Sequence, residues 1–263
     1  MLIDTHTHLY LKHFKDDIEE TIIRAKTEGI EKFYLPNIDA GSIDSMLELE
    51  NKFPGVCFPM MGLHPCSVKE NYREELTIVK KWLDKRPFCA VGEIGIDLYW
   101  DKTFLEEQKK AFITQAGWAK ELGIPIVIHA RESLDMLIEL VKQEKDDRLQ
   151  GIFHCFTGNL QQARQIMELG FYLGIGGVLT YKNSGLDKTV KDIPLDWLVL
   201  ETDSPYLTPV PYRGKRNESA YIKIIAQKMA EIKDISLEDV AVTTTANGEK
   251  IFAKNSLTYT TLY

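Results

Sequence analysis

The chain has 263 residues, of which 44% are hydrophobic and 27% are charged, and its formal net charge is −7 at pH 7. A net negative charge argues against broad nonspecific binding of polyanions, although it says little about one local site. The length suits one (β/α)₈ barrel, which typically needs about 250 residues. No linker or low-complexity tract divides the sequence, so we expect a single catalytic domain over residues 1–263.

The sequence has none of the patterns of an exported or membrane-embedded protein. No basic region followed by a long apolar run is present near the start, and the longest apolar stretches are too short to cross a bilayer. The four cysteines are widely spaced and form no C-x-x-C pair. We therefore expect reduced thiols in a cytoplasmic protein, no membrane association, and a monomer rather than an oligomer.

Short apolar segments alternate along the chain with amphipathic helical patterns. The predicted strands are, in order, LIDTH, KFYLPN, CFPMMGLH, CAVGEIG, PIVIHAR, GIFHCF, YLGIGG and LVLETD. Helical spacing of apolar residues occurs between them, as in FKDDIEETIIRAKTEG, EELTIVKKWLDKR, FLEEQKKAFITQAGWAKELG and SLDMLIELVKQEK. The segment from NESAYIKIIAQKMAEI onward predicts further outer helices. A strand followed by a helix, repeated along the chain, predicts a parallel sheet.

Each predicted strand ends in a polar residue or a glycine. These residues are His6 with His8, Asn37, His64, Glu93, His129, His154, Gly176 and Asp203. From His6 to Asp203 there are 197 residues over seven steps, or about 28 residues for each strand–helix unit. An open doubly wound sheet gives a similar alternation. Polar residues at the carboxyl ends of the strands favour the closed TIM barrel, because its active sites lie on that face.

Strand periodicity predicts a metal site at this face. Because side chains alternate between the two faces of a strand, Asp4, His6 and His8 should share a face, as should Val91 and Glu93. Four histidines and two carboxylates are then expected at one rim: His6, His8, Glu93, His129, His154 and Asp203. Six such ligands are too many for one catalytic ion with an open position. They suit two divalent cations that share a carboxylate, with Zn²⁺, Mg²⁺ and Mn²⁺ all compatible.

Six segments of the chain are informative as motifs: DTHTHL, GLHP, GEIGID, HAR, HCFTG and ETDSPYLTPVPYRGKRNE. Together they resemble the motifs of the TatD family of metal-dependent deoxyribonucleases, within the amidohydrolase-type barrels, and the similarity continues to TTANGEKIF. The resemblance implies these ligands: His6, His8 and Asp203 for one metal, His129 and His154 for the second, and Glu93 for both.

The resemblance also suggests which residues touch the substrate. His64 would contact the scissile phosphate or its leaving group, although a packed histidine at a strand end is the alternative. Asp203 would accept the proton of the nucleophile. The basic residues Arg213, Lys215 and Arg216 follow the last strand in an otherwise acidic protein. We expect them to bind phosphate, whereas a solvated charged surface is the simpler interpretation.

Other polar residues near the rim have two interpretations. Arg131 lies two residues after His129 and is expected to bind a second phosphate. Asp97 could orient the substrate or cap a helix. Asp4 and Glu201 could fix the tautomer of ligand histidines, or they could pack in a layer of the barrel with a hydrogen bond.

The functional hypothesis is hydrolysis of DNA by a two-metal, bridging-hydroxide mechanism, with Asp203, Glu93 and His64 as the catalytic residues. The resemblance implies a 3′–5′ exonuclease that acts on single-stranded or frayed ends. The rim aromatics Tyr99, Trp100, Tyr206 and Tyr212 could stack on bases or pack within their loops.

Two alternatives remain open at this stage. The same metals could hydrolyse a small ester, lactone, amide or aminoacyl bond, because a fold does not fix a function. A binding module with structural metals is less favoured, since structural zinc sites are usually closed and rich in cysteine.

Overall fold

Eight parallel strands form the inner wall of the molecule in the computed structural model, which describes residues 1–253. They are β1 Leu2–Asp4, β2 Ile30–Leu35, β3 Cys57–Pro59, β4 Val91–Asp97, β5 Ile126–Arg131, β6 Gly151–Phe153, β7 Tyr172–Ile175 and β8 Leu198–Leu200. Each strand ladder joins neighbours in sequence order and runs parallel. The predicted parallel sheet is confirmed. Residues 254–263, the last part of the predicted domain, lie outside the described residues.

Backbone hydrogen bonds close the two seams between the group β1–β2–β3 and the group β4–β8. At one seam the Met61 N–H donates to the Ala90 carbonyl oxygen at 3.1 Å. At the other the Thr5 N–H donates to the Leu200 carbonyl oxygen, also at 3.1 Å. The sheet therefore closes on itself, and the predicted (β/α)₈ barrel is confirmed.

Helices cover the outside of the barrel. Those in the described part of the chain are α1 Ile18–Thr27, α2 Ile43–Lys52, α3 Tyr72–Lys85, α4 Leu105–Leu122, α5 Leu134–Glu144, α6 Leu160–Glu168, α7 Leu186–Asp192, α8 Ile222–Lys233 and α9 Leu237–Phe252. The predicted helix FLEEQKKAFITQAGWAKELG coincides with α4, which ends at Gly123 with a φ of +66°. Glycine adopts this left-handed conformation without strain and is therefore common after a helix. None of the described helices is both long and apolar enough to span a membrane.

Six of the eight strands are shorter than predicted, and β3 and β8 are examples. The segment CFPMMGLH stops pairing regularly at Pro59, and LVLETD stops at Leu200. Beyond Pro59 the backbone approaches that of β4 very closely, since a Cβ atom on Gly62 would lie 2.9 Å from the carbonyl carbon of Gly92. A side chain at position 62 would not fit there. The glycine of GLHP thus lets this segment reach the barrel mouth, where His64 follows.

The core has two layers. Buried apolar side chains fill the space between the strands and the outer helices. A smaller cluster lies inside the barrel and includes Ile3, Ala90, Val127 and Ile152, with Phe252 of α9 packed against the same cluster. The barrel is thus a packed core, and its side chains become polar towards the carboxyl ends of the strands.

Candidate metal centre

Side chains from six strand ends meet at the carboxyl end of the barrel. The predicted ligands lie there together with His64, in overlapping groups whose ligand atoms are within 4.8 Å of one another. Within the described residues these groups are His6 with His8 and Asp203, His6 with Glu93 and His154, and His64 with Glu93 and His129. The convergence predicted from the strand ends is therefore present in the fold.

Glu93 lies at the centre of these groups, and its two oxygens face different histidines. Glu93 Oε2 is 3.1 Å from His6 Nε2 and 3.6 Å from His8 Nε2. Glu93 Oε1 is 2.8 Å from His129 Nδ1 and 3.2 Å from His154 Nε2. A carboxylate with one oxygen towards each histidine pair has the geometry of a ligand shared by two cations.

Asp203 completes the group around β1. Its Oδ1 atom is 3.6 Å from the Nε2 atoms of both His6 and His8. Asp203 has a φ of +56°, and its N–H donates to the His6 carbonyl oxygen at 2.9 Å. The side chain is 16% exposed, whereas that of Glu93 is 2% exposed. Asp203 is therefore placed where solvent or a substrate can reach it.

The donor atoms fit divalent cations. Neither nitrogen of His6 has a hydrogen-bond partner among the described residues, although the ring is completely buried. A buried polar atom without a partner is costly, and a cation between His6 and the carboxylates would satisfy it. Two ligands of a tetrahedral zinc ion lie about 3.4 Å apart, close to the separations of His6 from Glu93 and Asp203. The imidazole and carboxylate ligands suit zinc, manganese and related ions.

The charges within the centre favour ionised carboxylates. Burial opposes ionisation of Glu93, but facing imidazoles, including those of His6 and His154, hold the pKa of its carboxyl well below the usual range. Burial likewise opposes ionisation of Asp203, yet the bond to His8 lowers its pKa. Burial and the neighbouring His154 lower the pKa of His6, so its ring is neutral and able to bind a cation.

Glu201 orients His154. Its Oε1 atom is 3.0 Å from His154 Nδ1 and accepts a hydrogen bond from the Cys155 N–H at 2.6 Å. A Cβ atom on Gly174 would lie 2.1 Å from Glu201 Oε2, so glycine is needed to make room for this carboxylate. Of the two interpretations of Glu201, the structure supports orientation of a ligand histidine.

We expect Glu201→Gln to weaken metal binding about 10- to 100-fold, the usual effect of losing a group that orients a ligand. Glutamine has nearly the same shape but lacks the charge that faces His154 Nδ1. Competition with a chelating indicator dye measures the affinity. Glu132→Gln, which alters an exposed glutamate on the same rim, is the matched control and should behave as wild type. Wild-type affinity in Glu201→Gln would contradict this role.

His8 is held by a tyrosine that the sequence interpretation missed. His8 Nδ1 is 2.9 Å from the Tyr10 hydroxyl, which in turn donates to the Pro36 carbonyl oxygen. Tyr10 is two residues after His8, and this spacing is the signal that could have identified it. The contact leaves His8 Nε2 directed at Glu93 and Asp203.

Asp97 orients His129. Its Oδ2 atom is 2.8 Å from His129 Nε2, and its Oδ1 atom accepts hydrogen bonds from the N–H groups of Tyr99 and Trp100. Asp97 is 1% exposed, and both of its oxygens are engaged within the protein. This arrangement differs from the expected direct contact with substrate, because Asp97 supports a ligand and anchors a loop instead.

His64 directs one nitrogen into the centre. Its Nδ1 atom accepts a hydrogen bond from the Cys66 N–H at 3.1 Å, and its Nε2 atom is 3.5 Å from Glu93 Oε1. Burial lowers the pKa of His64, which favours the neutral ring. Because Nδ1 is an acceptor, the proton of the neutral ring is on Nε2 and points towards Glu93. The alternative of a histidine that only packs against its neighbours is not favoured by this geometry.

Asp4 contacts the backbone of His6, because its Oδ1 atom accepts a hydrogen bond from the His6 N–H at 3.3 Å, while the rest of its carboxylate is held by the loop after β8. Its carboxylate accepts hydrogen bonds from the hydroxyls of Thr202 and Ser219, both at 2.6 Å. The pairing of β1 with β2 shifts register between Leu2 and Ile3, and Ile3 rather than Asp4 belongs to the interior cluster. Of the two interpretations, the structure supports hydrogen bonding within the barrel for Asp4.

The four basic residues of the rim have different partners. The Arg131 guanidinium lies 3.9 Å from the ring centroid of Tyr99, and the Arg213 guanidinium lies 4.0 Å from that of Tyr181. Lys215 Nζ is 5.6 Å from the Tyr212 ring. Within residues 1–253 no carboxylate pairs with any of these three cations. Their predicted role in binding phosphate stays a prediction.

Arg216 is engaged by a carboxylate. Its Nη1 and Nη2 atoms donate to Asp17 Oδ1 and Oδ2 at 2.7 and 2.6 Å, and Nη1 also donates to the His13 carbonyl oxygen. The bond to Arg216 lowers the pKa of Asp17 to about 2. Arg216 thus joins the loop after β8 to the start of α1, which differs from the expected phosphate contact.

We expect Arg216→Met to lower the free energy of unfolding near neutral pH and to leave it little changed near pH 2. The pKa of Asp17 lies below its unfolded value of about 3.9, so this stabilisation is complete above that value and disappears as the pH falls towards 2. Urea unfolding of the metal-free protein at several pH values measures the difference. Arg213→Met is the control and should not change the pH dependence. An equal loss at every pH would contradict a contribution from the ion pair.

Comparison with known proteins identifies relatives along nearly the whole chain. The family model described as "TatD related DNase" matches residues 3–253. "Uncharacterized metal-dependent hydrolase YabD" of Bacillus subtilis is 39% identical over 256 residues, which cover 97% of this chain and 100% of the relative. "Putative deoxyribonuclease TATDN3" of Mus musculus is 29% identical and covers 96% of this chain and 88% of the relative. The crystal structure of YjjV, a TatD homologue from Escherichia coli K12, superposes with a TM-score of 0.90 at 29% identity, covering 96% of this chain and 98% of that structure.

The closed barrel and its cluster of histidines and carboxylates define a metal-dependent hydrolase. The relatives agree with this class. The chain belongs to the TatD related DNase family, as its motifs suggest.

Proposed function

We propose that the protein hydrolyses phosphodiester bonds of DNA with the help of two divalent cations. The observation that carries the proposal is the position of Glu93, whose two oxygens face two separate pairs of histidines. The cations Arg131, Arg213 and Lys215 near the barrel mouth, which pair with no carboxylate among residues 1–253, support a substrate with negative charge. The family match and the mouse relative named as a deoxyribonuclease support DNA as the substrate.

The assignment of ligands follows the two carboxylate oxygens of Glu93. One cation is assigned to His6, His8 and Asp203 and the other to His129 and His154, with Glu93 shared. When bound, two cations would supply a water activated at neutral pH and would neutralise charge on the phosphoryl oxygens.

The remaining steps use groups of the chain itself. Asp203 is the more exposed of the two carboxylates, and its low pKa keeps it ionised and able to accept a proton from the attacking water. His64 is 14% exposed and carries its proton on Nε2, so it can donate to a phosphoryl or leaving oxygen. The buried floor formed by His6 and Glu93 excludes bulk water, which strengthens these interactions.

The proposal extends to the form of the substrate and of the protein. A mouth surrounded by separate loops suits a single strand entering by its end, and we assign 3′–5′ exonuclease polarity on the basis of the family resemblance.

All centre residues come from one chain, which supports activity as a monomer. The four cysteines are free in the described residues, which supports a reducing, cytoplasmic location.

A cleavage assay with metal-free protein tests the proposal. The protein is reloaded separately with Mg²⁺, Mn²⁺ or Zn²⁺ and incubated with single-stranded DNA labelled at its 3′ or 5′ end. We expect immediate release of a labelled mononucleotide from the 3′ label and a ladder of shortened strands from the 5′ label. The proposal is wrong if no metal restores cleavage, or if the double variant His6→Ala, His8→Ala cleaves as well as wild type.

Substitution of the rim cations distinguishes nuclease activity from hydrolysis of a small ester. The double variant Arg213→Ala, Lys215→Ala should lose activity on DNA and retain activity on a small uncharged aryl ester. If this variant keeps wild-type activity on both substrates, the result would argue against DNA and for a small neutral substrate.

A further inference from the structure

An exposed aromatic pair lies beside the metal centre. Tyr99 and Trp100 follow β4 and are 52% and 69% exposed, and their rings meet edge to face with centroids 4.9 Å apart. Large aromatic rings gain free energy when they are covered, so two exposed rings side by side at a mouth suit a planar ligand.

Arg131 adds a flat cation to the pair. Its guanidinium carbon is 3.9 Å from the Tyr99 ring centroid and 5.5 Å from that of Trp100. No ion pair to a carboxylate holds Arg131 within the part of the chain that the structure describes. A guanidinium stacked on a ring keeps its N–H edge available for a phosphate.

Asp97 fixes this cluster relative to the metal centre. Its Oδ1 atom accepts hydrogen bonds from the N–H groups of Tyr99 at 2.9 Å and Trp100 at 3.0 Å. Its Oδ2 atom is 2.8 Å from His129 Nε2. One buried carboxylate therefore separates the aromatic loop from a proposed metal ligand. The loop that carries the two rings therefore begins beside the His129 side of the centre.

Two aromatic residues on the opposite side of the mouth, Tyr181 and Tyr212, are less available. Tyr212 stacks on Tyr221 with centroids 4.7 Å apart and an angle of 11° between the rings. Tyr181 is half-buried beneath Arg213, and its hydroxyl donates to the Thr208 carbonyl oxygen. Each of these two rings has a face already covered, whereas Trp100 is 69% exposed.

From these observations we infer that Tyr99, Trp100 and Arg131 form a stacking platform for a base of the substrate strand, with Arg131 also contacting its backbone phosphate. The inference rests on the proposed nuclease function and names a subsite for it. Cations held by the proposed ligands would contact the phosphodiester alike at every nucleotide, so they would not set the position of the strand. A base stacked on Trp100 would hold the strand at a fixed distance from the metals, and stacking tolerates all four bases.

The platform is tested by combining substitutions of Trp100 with substrates that lack a single base. Single-stranded DNA carries one abasic tetrahydrofuran nucleotide at the first, second or third position from the 3′ end, and kcat/KM is measured for each substrate. With wild type we expect removal of one of these bases to lower kcat/KM about tenfold, within the range for one stacked base. With Trp100→Ala the same removal should leave kcat/KM almost unchanged. With Trp100→Phe it should cause most of the decrease seen in wild type, which we call the abasic penalty.

Two controls separate stacking on Trp100 from a loss of stability and from stacking elsewhere on the rim. Trp100→Ala should unfold at the wild-type temperature because the ring is largely exposed, and Tyr212→Ala should keep the wild-type abasic penalty. The platform is disproved if Trp100→Ala keeps the full penalty at every position, or if Tyr212→Ala removes it. If wild type does not cleave DNA at all, the proposed function fails together with the platform. Cleavage without any coupling to Trp100 removes the platform alone.

Discussion

Glu93→Gln is expected to lower kcat/KM by more than about a thousandfold, the upper range for loss of one electrostatic contact in an active site. Glutamine has the same length but no charge, and one of its two terminal atoms is an NH₂ group that cannot bind a cation. Because Glu93 faces both pairs of histidines, the substitution would remove a ligand from both proposed metal positions at once. Metal analysis of the purified variant should therefore show reduced binding at both positions.

A second substitution separates the effect of the Glu93 charge from the effect of its side-chain length. Glu93→Asp keeps the charge but retracts the carboxylate from one or both histidine pairs, so it should bind metal better than Glu93→Gln and still fail in hydrolysis. The control is Glu132→Gln, whose side chain is 54% exposed on the same rim and should retain wild-type activity. Full metal content and activity in Glu93→Gln would show that the carboxylate is not a shared ligand.

The histidines of β5 and β6 could be predicted from sequence because these strands pair regularly. His129 follows Val127 and His154 follows Ile152, and both apolar residues lie inside the barrel. Alternation of faces along a regular strand is enough to place such residues.

The same alternation failed where the pairing is irregular. The prediction that Val91 shares a face with Glu93 is wrong, since Val91 packs in the outer layer and Ala90 lies inside the barrel. The register of β4 with β5 shifts between Val91 and Ile94, immediately around Glu93. The end position of Glu93 could be predicted from its motif, but an irregularity in a strand cannot be predicted from periodicity.

Partners that are distant in sequence were also beyond prediction. Arg216 pairs with Asp17, 199 residues away, and nothing in a single sequence indicates that a basic loop residue is used in this way. The role of Asp97 depends on the approach of β4 to His129 on β5, which only the folded chain provides. Charge and spacing predict which residues gather at the mouth, whereas hydrogen-bond geometry decides which of them are free to act.

The outer nitrogens of four histidines are held by the protein. Tyr10 contacts His8, Glu201 contacts His154, Asp97 contacts His129, and the Cys66 N–H donates to His64. In each case the opposite nitrogen faces Glu93, so four different contacts produce the same orientation. His6 is the exception, because it is fixed by stacking on His154 with ring centroids 3.6 Å apart. This arrangement would preorganise the proposed ligands among them before a cation binds, which would reduce the cost of ordering them.

Metal affinity is expected to fall about tenfold for each proton that binding must displace as the pH decreases by one unit. Burial opposes protonation of His8, but the hydrogen bonds that its ring donates to Asp203 and Glu93 outweigh it and raise its pKa to about 9 in the metal-free protein. Glu201 and Glu93 raise the pKa of His154 well above its usual value in the same way. Both rings are therefore protonated at neutral pH and must lose a proton before they bind a cation.

The interval from pH 8 to pH 7 distinguishes this arrangement from ordinary histidines. A histidine with the usual pKa of about 6.5 is already mostly neutral there, so it would leave the affinity nearly constant. With His8 protonated, the affinity for Mn²⁺ should fall at least about tenfold over this interval, and calorimetry in buffers of different ionisation enthalpy should detect one or more protons released per chain. His13→Gln, which alters the histidine outside the metal centre, should show the same pH dependence as wild type. An affinity that is constant between pH 8 and pH 7, with no proton release, would show that the carboxylates do not hold these histidines in their charged form before metal binds.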